Sequence, residues 1–243
     1  WIASHGLPSW SLKFSSNSEK IYNMIITIDG PSGVGKGTVA KIISENLNIK
    51  YLDSGAMYRA LALYADMHNI KENDSDKLKK LLIDIHIQFI NEDGIDKVYL
   101  NTEDVTDQIR TNEISKLASK FASLEIVRGI LREMQKRIVR KKDYVAEGRD
   151  MGTYVFPEAT YKFYLDADPK IRAERRANQL EKILGIKINK SKVLEEINER
   201  DELDKTRAIC PLHPAEDSVI IDTSKLSIDN VVNKISERII IDG

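Results

Sequence analysis

The sequence predicts an α/β fold, in which a mostly parallel β-sheet is covered by helices on both faces. Short, apolar, β-branched runs alternate with longer segments of helical period along most of the 243-residue chain. Such alternation is typical of a parallel sheet. The first run also leads into a glycine-rich loop and then a helix, which is the order of a phosphate-binding unit. Ligands of such folds bind beyond the carboxyl ends of the strands, where we expect the functional residues.

The first strand and helix flank the glycine-rich loop. Met24–Asp29 (MIITID) predicts a buried strand, and Thr38–Leu47 has apolar residues at helical spacing. The sequence GPSGVGK between them has the glycine and lysine spacing of a P-loop. Small residues let backbone N–H groups surround a phosphate, and the helix adds its positive end. Lys36 supplies a mobile positive charge for nucleotide phosphates.

The loop departs from the common P-loop at one position. A Ser or Thr directly after the lysine usually binds Mg²⁺ there, but this chain has Gly37, and its hydroxyl follows at Thr38. We therefore expect no direct protein ligand for Mg²⁺ in this loop. Phosphate oxygens and waters would hold the ion, as Mg²⁺ generally keeps several waters in phosphate sites. Glu147 is the acidic group that we expect to act on it through water.

The remaining elements continue the alternation, with one interruption. Tyr51–Tyr64 predicts a helix that begins near a cap at Asp53 or Ser54. The segment 83–110 contains two alternating strands, IHIQFI and KVYL, joined by NEDGID, which predicts a hairpin inserted into the β–α order. The other predicted elements are a long basic helix over 114–140, strands at 143–147, 161–165 and 218–222, a charged helical pair over 169–207, and a helix at 227–240.

Composition narrows the class of function. The net charge of −1 argues against a broad nucleic-acid surface, and no run of about 18 apolar residues predicts a membrane helix. The single cysteine, Cys210, excludes a disulfide within the chain and fits a reducing compartment, so we expect a cytoplasmic protein. We expect a monomer without a nucleic-acid or membrane partner. Residues 1–23 differ in composition from the rest, and we interpret them as a tag, an upstream extension or a disordered segment.

Arginines are the second chemical signal. Guanidinium groups match phosphate oxygens with paired donors, and a simple nucleotide hydrolase needs fewer than this chain offers. A phosphate monoester, with a second pKa of about 6, is already a nucleophile at neutral pH. A kinase acting on a phosphate therefore needs no general base, whereas one acting on a hydroxyl usually positions an Asp. The arginines near predicted ligand-facing motifs or on one helix face are Arg59, Arg128, Arg149, Arg172, Arg175, Arg176, Arg200 and Arg207.

Five blocks of the chain together resemble the bacterial cytidylate kinases, a branch of the nucleoside monophosphate kinases. They are GPSGVGKGT, DSGAMYR (53–59), EDVTDQIRT (103–111), EGRDMGTYVFP (147–157) and ERD…DKTR (199–207). GKGT alone indicates only the wider family, but the second and fourth blocks together are more specific. The resemblance covers residues 24 to about 240. It implies transfer of the γ-phosphoryl group of ATP to CMP or dCMP, with Mg²⁺, and a three-layer core like that of P-loop NTP hydrolases.

The resemblance also implies a division into three parts: a core of 24–82, 111–169 and 208–243, a CMP-side insertion of 83–110 with β-structure, and a helical lid of 170–207. The ATP loop would be Gly30, Pro31, Ser32, Gly33, Val34, Gly35, Lys36, Gly37 and Thr38. CMP would be bound by Ser54, Arg59, Ser119, Arg128, Arg149, Asp150, Arg200 and Arg207. The catalytic charges would be Lys36, Arg149, Arg172, Arg175 and Arg176.

Several alternatives stay open from the sequence. The chain could be a kinase of the same fold for UMP or AMP, or a nucleotide-sensing module that no longer transfers phosphate. A nucleic-acid-binding ATPase fits the near-neutral charge poorly. Asp150 would either bind a ribose hydroxyl or orient Arg149. Glu147 stands where relatives often carry Asp, so its longer side chain leaves its link to Mg²⁺ open.

Overall fold

The computed structural model describes residues 24–92, 95–140 and 142–242. In these ranges the chain forms two sheets, and helices surround the larger one. The elements, in chain order, are β1 (Ile25–Asp29), α1 (Lys36–Leu47), β2 (Lys50–Asp53), α2 (Ser54–Met67), α3 (Ser75–Asp84), β3 (Ile87–Glu92), β4 (Ile95–Leu100), β5 (Glu103–Asp104), α4 (Asn112–Phe121), α5 (Glu125–Val139), β6 (Tyr144–Gly148), β7 (Tyr161–Asp166), α6 (Pro169–Leu184), α7 (Lys190–Thr206), β8 (Val219–Asp222) and α8 (Ile228–Asp242).

The larger sheet has five parallel strands in the order β2-β6-β1-β7-β8. The central strand β1 is fully buried at Ile26 and Ile28, as its apolar sequence predicts. Its last residue, Asp29, is in register with Gly148 of β6, and Asp53 of β2 is in register with Glu147. Parallel strands therefore end together and bring the loops that follow them to one rim. The α/β fold predicted from the sequence is confirmed.

Helices cover the sheet on both faces. Val145 of β6 packs with α1 and α8, whereas its neighbour Ala146 packs with α2, α4 and α5. Consecutive strand residues point to opposite faces, so these two clusters are the two apolar layers on either side of the sheet. The helix pair α6 and α7 has a small apolar cluster of its own, made of Ala173, Ala177, Val193 and Ile197.

The inserted hairpin predicted in 83–110 is confirmed, because β3 and β4 pair antiparallel from Ile87↔Leu100 onward. Its expected turn, at 93 and 94, lies outside the described residues. The short strand β5, which the sequence analysis did not predict, extends this second sheet. The charged helical pair over 169–207 is also confirmed as α6 and α7. The exact bounds of core, insertion and lid stay predictions.

Two helix predictions were wrong in part. Tyr51–Asp53 is not helical but belongs to β2, and α2 begins only after Asp53, whose carboxylate accepts the Ala56 N–H over 2.8 Å as a helix cap. The tract 114–140 is two helices, because the chain becomes extended at Leu124. The carbonyl of Ala122, released at this break, accepts a hydrogen bond from Arg128 over 3.0 Å.

Residues 1–23, interpreted above as a tag or extension, lie outside the described part of the chain. Within the described ranges, none of the helices combines the length and apolar character needed to cross a bilayer.

Candidate active site

A cleft of about 1140 Å³ opens at the rim where the parallel strands end. It is lined from one side by the glycine-rich loop and the start of α1, and from the other by α2, α4 and the loop after β6. Side chains from α6 and α7 complete it. Most of the site residues predicted from the sequence line this one cleft: Ser32, Gly33, Gly35, Lys36, Gly37, Thr38, Ser54, Arg59, Ser119, Arg128, Glu147, Arg149, Asp150, Arg176, Arg200 and Arg207.

The glycine-rich loop has the backbone shape of a phosphate cradle. Gly30, Gly33 and Gly35 have φ values of 148°, 75° and 100°, which glycine adopts far more readily than other residues. A Cβ atom on Gly30 would lie 2.1 Å from the carbonyl oxygen of Leu165. Gly35 precedes the first turn of α1, and no side chain of the described residues caps that turn. Its free N–H groups suit an anion.

Lys36 is 5% exposed, and its Nζ donates a hydrogen bond to the Pro31 carbonyl over 2.8 Å. Burial, and then the positive charge of Arg149, lower the pKa of Lys36 to about 7. A phosphate group in the cradle would reverse this effect, because a nearby negative charge favours the protonated amine. The lysine is therefore poised to gain a proton when an anion arrives.

Glu147 is placed beside the loop position that lacks the usual hydroxyl. A Cβ on Gly37 would lie 3.6 Å from Oε1 of Glu147. Burial, and then the negative charge of Asp53, raise the pKa of Glu147 to about 7. Within the described residues, no group of three or more His, Cys, Asp or Glu could hold a metal alone. A carboxylate beside a phosphate cradle instead fits Mg²⁺, which takes oxygen ligands from phosphates, waters and one or two carboxylates.

One group of arginines is organised by Asp204 of α7. The Nε of Arg149 lies 2.8 Å from Oδ2 of Asp204, and Nη1 of Arg207 lies 3.3 Å from Oδ1. Asp204 therefore holds two guanidinium groups on one carboxylate at the cleft wall. Asp204 lies in the last of the five sequence blocks, but the sequence alone predicted no role for it.

A second group is organised by Asp150. Its Oδ2 accepts a hydrogen bond from Nη2 of Arg128 over 2.5 Å, and its Oδ1 lies 3.8 Å from Nη2 of Arg207. The Arg128 guanidinium also lies 5.5 Å from the ring centroid of Tyr58, within cation–π range. The alternative in which Asp150 orients Arg149 is therefore wrong, because Asp150 contacts Arg128 while Arg149 contacts Asp204.

Several arginine donors in this wall are buried without a hydrogen-bond partner among the described residues: Arg59 Nε, Arg128 Nε, Arg200 Nε and Arg207 Nη2. Burial, and then the charge of Arg149, lower the pKa of Arg200 to about 10. Buried polar groups in native proteins usually have a partner, so unsatisfied donors need an explanation. All four arginines line the open cleft, where a bound anion would offset their buried positive charges.

The two serines predicted to bind CMP have hydrogen-bond partners in the protein. Ser54 Oγ donates to the Glu147 carbonyl over 2.7 Å, and Ser119 Oγ donates to the Ser115 carbonyl over 3.2 Å. Both serines line the cleft. The Ser54 contact joins the start of α2 to the end of β6, so it also fixes the end of β2 at Asp53 relative to the loop that carries Arg149.

The three arginines predicted on α6 are not brought together. Arg176 lines the cleft and donates to Oε1 of Gln179 over 2.8 Å. Arg175 instead donates to the carbonyl of Thr223 over 2.6 Å, and Arg172 binds Asp201 of α7. Neither of these two lines the cleft, and of the predicted loop residues Gly30, Pro31 and Val34 do not either.

Comparison with known proteins agrees with this geometry. The family model described as cytidylate kinase matches residues 26–240. A cytidylate kinase of Shewanella sediminis is 46% identical over 211 residues, 86% of this chain and 91% of that protein. One of Carboxydothermus hydrogenoformans is 44% identical over 216 residues, 89% and 97% of the two chains.

A solved structure of an uncharacterized protein from Eubacterium ventriosum covers 90% of this chain and 98% of its own, at 14% identity and a TM-score of 0.50. At this identity the likeness concerns the fold alone. The family model spans the glycine-rich loop and all the arginines that line the cleft. The chain therefore belongs to the cytidylate kinase family.

Proposed function

We propose that the protein transfers the γ-phosphoryl group of ATP to CMP or dCMP, giving ADP and CDP or dCDP. The observation that carries this proposal is the two-sided cleft. One side is a phosphate cradle at the start of α1, and the other is lined by the arginines Arg59, Arg128, Arg149, Arg200 and Arg207. A donor nucleotide and an acceptor phosphate placed on these two sides would face each other across one space.

The reaction needs charge neutralisation and positioning more than proton transfer. The acceptor phosphate is itself the nucleophile, so no general base is required. Lys36 would bind the β- and γ-phosphates of ATP, together with the N–H groups at the start of α1. Arg149, Arg200 and Arg207 would bind the acceptor phosphate and hold its attacking oxygen in line. Arg176 would approach from α6 and stabilise the charge on the transferring group.

The nucleoside of the acceptor would lie toward α4 and α5. Arg128 is fixed by Asp150 and by the Ala122 carbonyl, so its position does not depend on the ligand. Such a fixed guanidinium, with Ser119 nearby on the cleft wall, suits the carbonyl and ring nitrogen of cytosine. Asp150 and Ser54 would meet the ribose. Arg172 and Arg175 are left out of this chemistry because they lie outside the cleft.

Mg²⁺ would be held by the phosphate oxygens of ATP and by water, with Glu147 accepting from those waters beside Gly37. When bound, it neutralises negative charge on the β- and γ-phosphates. We also propose that the protein is cytoplasmic, because its lone thiol, Cys210, fits a reducing compartment. We further propose that it is a monomer, which light scattering of the purified protein tests.

A coupled assay of ADP release tests the function. With ATP and Mg²⁺, we expect kcat/KM to be highest for CMP or dCMP and much lower for UMP and AMP. Equal use of AMP would contradict the proposal that CMP or dCMP is the acceptor. Use of UMP in place of CMP would favour a UMP kinase of the same fold. Binding of nucleotides without any ADP release would favour a nucleotide-sensing module instead.

A further inference from the structure

Arg172 and Asp201 both hydrogen-bond to the backbone of the glycine-rich loop at Ser32, and neither lines the cleft. The backbone N–H of Ser32 donates to Oδ1 of Asp201 over 3.1 Å, and Nη1 of Arg172 donates to the Ser32 carbonyl over 3.0 Å. Nη1 of Arg172 also contacts Oδ2 of Asp201. Both polar backbone groups of one loop residue are therefore held by a single ion pair between α6 and α7.

The loop also packs closely against α6 and α7 at Gly33. A Cβ on Gly33 would lie 3.1 Å from the backbone oxygen of Arg172 and 3.5 Å from Cδ1 of Ile197. The Arg172 Nε donates to the Ala167 carbonyl over 2.9 Å, so the guanidinium is fixed from a third direction. The loop tip thus lies directly against α6 and α7, and its shape depends on where these helices lie.

Stability alone explains this ion pair poorly. The side chains of Arg172 and Asp201 are 4% and 6% exposed, and the desolvation of two buried charges offsets much of their attraction. Neither residue lines the cleft, so neither can touch a phosphate there. What the pair does define is geometry, because it fixes the N–H and the carbonyl of Ser32 at the same time.

On the basis of the kinase function above, we propose that Arg172 and Asp201 are positioning residues that set the P-loop tip for ATP, and that Arg172 is not a catalytic charge. Asp201 directly follows Arg200, and Asp204 lies one helical turn further along α7. The same helix therefore contacts the ATP loop through Asp201 and the acceptor-side arginines through Asp204. Loosening the first contact should affect the ATP side selectively.

Two conservative variants test the inference. Asp201→Asn keeps an oxygen for the Ser32 N–H but loses the charge that holds Arg172. Arg172→Lys keeps the charge but cannot donate to Ala167, Ser32 and Asp201 at once. We expect the Kd of a non-hydrolysable ATP analogue with Mg²⁺ to rise about tenfold in each, as for loss of one charged hydrogen bond. The Kd for CMP should change less than about twofold, and the double variant should resemble the singles.

Glu174→Gln is the matched control. Glu174 pairs with Lys190 over 2.6 Å, so it also links α6 to α7, but this pair is half exposed and lies away from the loop. It should leave both dissociation constants unchanged. Thermal unfolding identifies any variant that fails to fold, and Asp201→Glu then replaces Asp201→Asn.

Calorimetric binding of each nucleotide separates this inference from the proposed function, because it does not require turnover. Selective weakening of the ATP analogue supports the inference even if CMP is not the preferred acceptor. Equal weakening of the ATP analogue and CMP would overturn it, since that result indicates a general loss of structure. A large fall in kcat with unchanged ATP affinity in Arg172→Lys would also overturn it and make Arg172 a catalytic charge.

Discussion

Asp204 of α7 accepts a hydrogen bond from Arg149 of the loop after β6, with 2.8 Å between Oδ2 and Nε. The two residues are 55 positions apart in the chain, and they belong to segments that the sequence assigned to lid and core. The pair therefore ties α7, which bears Arg200 and ends just before Arg207, to the end of β6 in the five-stranded sheet. Burial opposes ionisation of Asp204, but Arg149, Arg200 and Arg207 outweigh it and lower its pKa. The carboxylate therefore stays charged and holds Arg149 and Arg207 together at the cleft.

Lys36→Ala should abolish most activity without unfolding the protein. Among the described residues, the Nζ of Lys36 donates a hydrogen bond only to the Pro31 carbonyl. The substitution therefore removes few interactions that stabilise the fold. The loss of one preorganised charge at the transferring group should lower kcat by about 100-fold or more. Steady-state kinetics and thermal unfolding measure the two effects. Near-normal turnover would contradict the role of the loop.

ATP binding should take up protons above neutral pH. In the free protein the pKa of Lys36 is about 7, so at pH 8 the amine is mostly neutral. Bound phosphates raise that pKa, and the lysine then takes a proton from solvent. Titration calorimetry in two buffers of different ionisation enthalpy measures the uptake at pH 8, which should shrink at pH 6.

The pKa of Glu147 is also about 7, so two variants assign the protons. Lys36→Ala should remove most of the uptake, and Glu147→Gln should retain it. Uptake that disappears in Glu147→Gln but persists in Lys36→Ala would assign the titration to the carboxylate and contradict the prediction.

Replacing Arg200 should impair CMP and spare ATP. Its buried Nε has no hydrogen-bond partner in the described part of the chain, so Arg200→Gln breaks no hydrogen bond at that atom and chiefly removes a positive charge, which also acts on Asp204. The KM for CMP should rise about tenfold or more, as when a charged hydrogen bond to a phosphate is lost. Arg132→Gln, at an exposed arginine of α5, is the control. A defect confined to the KM for ATP would place Arg200 on the other side of the cleft.

Two glycines of the loop should respond oppositely to alanine. At Gly30 the new Cβ would meet the Leu165 oxygen at 2.1 Å, whereas at Gly37 the nearest atoms would be Tyr51 OH at 3.5 Å and Glu147 Oε1 at 3.6 Å. Gly30→Ala should lower the free energy of unfolding by about 2 kcal/mol or more, through backbone strain and overlap. Gly37→Ala lies in the first turn of α1 and should be neutral or slightly stabilising. Urea unfolding compares the two, and equal losses would contradict the geometry.

Asp29 should make stability fall as pH rises from about 4 to 6. Burial raises its pKa from 3.8 to about 6, although the N–H groups of Gly152 and Met151 oppose this shift. The folded state therefore favours the protonated acid, and ionisation above the unfolded pKa costs up to about 3 kcal/mol. Urea unfolding across this range should show the wild type losing stability relative to Asp29→Asn. A difference between them that does not change with pH would contradict the prediction.

Short sequence patterns correctly predicted those elements that depend mainly on their own residues. The strand at Met24–Asp29, the glycine loop and α1 follow from apolar runs and glycine spacing. The strand β2 was missed because KYLD is short and half-buried at the sheet edge. Its conformation depends on pairing with β6, a partner more than 90 residues away.

The sequence predicted which residues line the cleft but not which of them contact each other. Motifs identified most of the residues that line the cleft, and the pattern of arginines indicated phosphate. The pairing of Asp150 with Arg128, and of Asp201 with Arg172, depends on how distant helices cross. For that reason the sequence could place Arg172 on a charged helix but could not show that it contacts the glycine-rich loop from outside the cleft.

The apolar cluster of Ala173, Ala177, Val193 and Ile197 has a thermodynamic consequence. Because α6 and α7 bury these side chains in a cluster of their own, a movement of the two helices as a pair would keep most of that cluster out of water. Heat-capacity changes scale with exposed apolar area. The enthalpy and entropy of such a movement would therefore stay nearly constant with temperature, and its free energy would change linearly, without the curvature that marks unfolding.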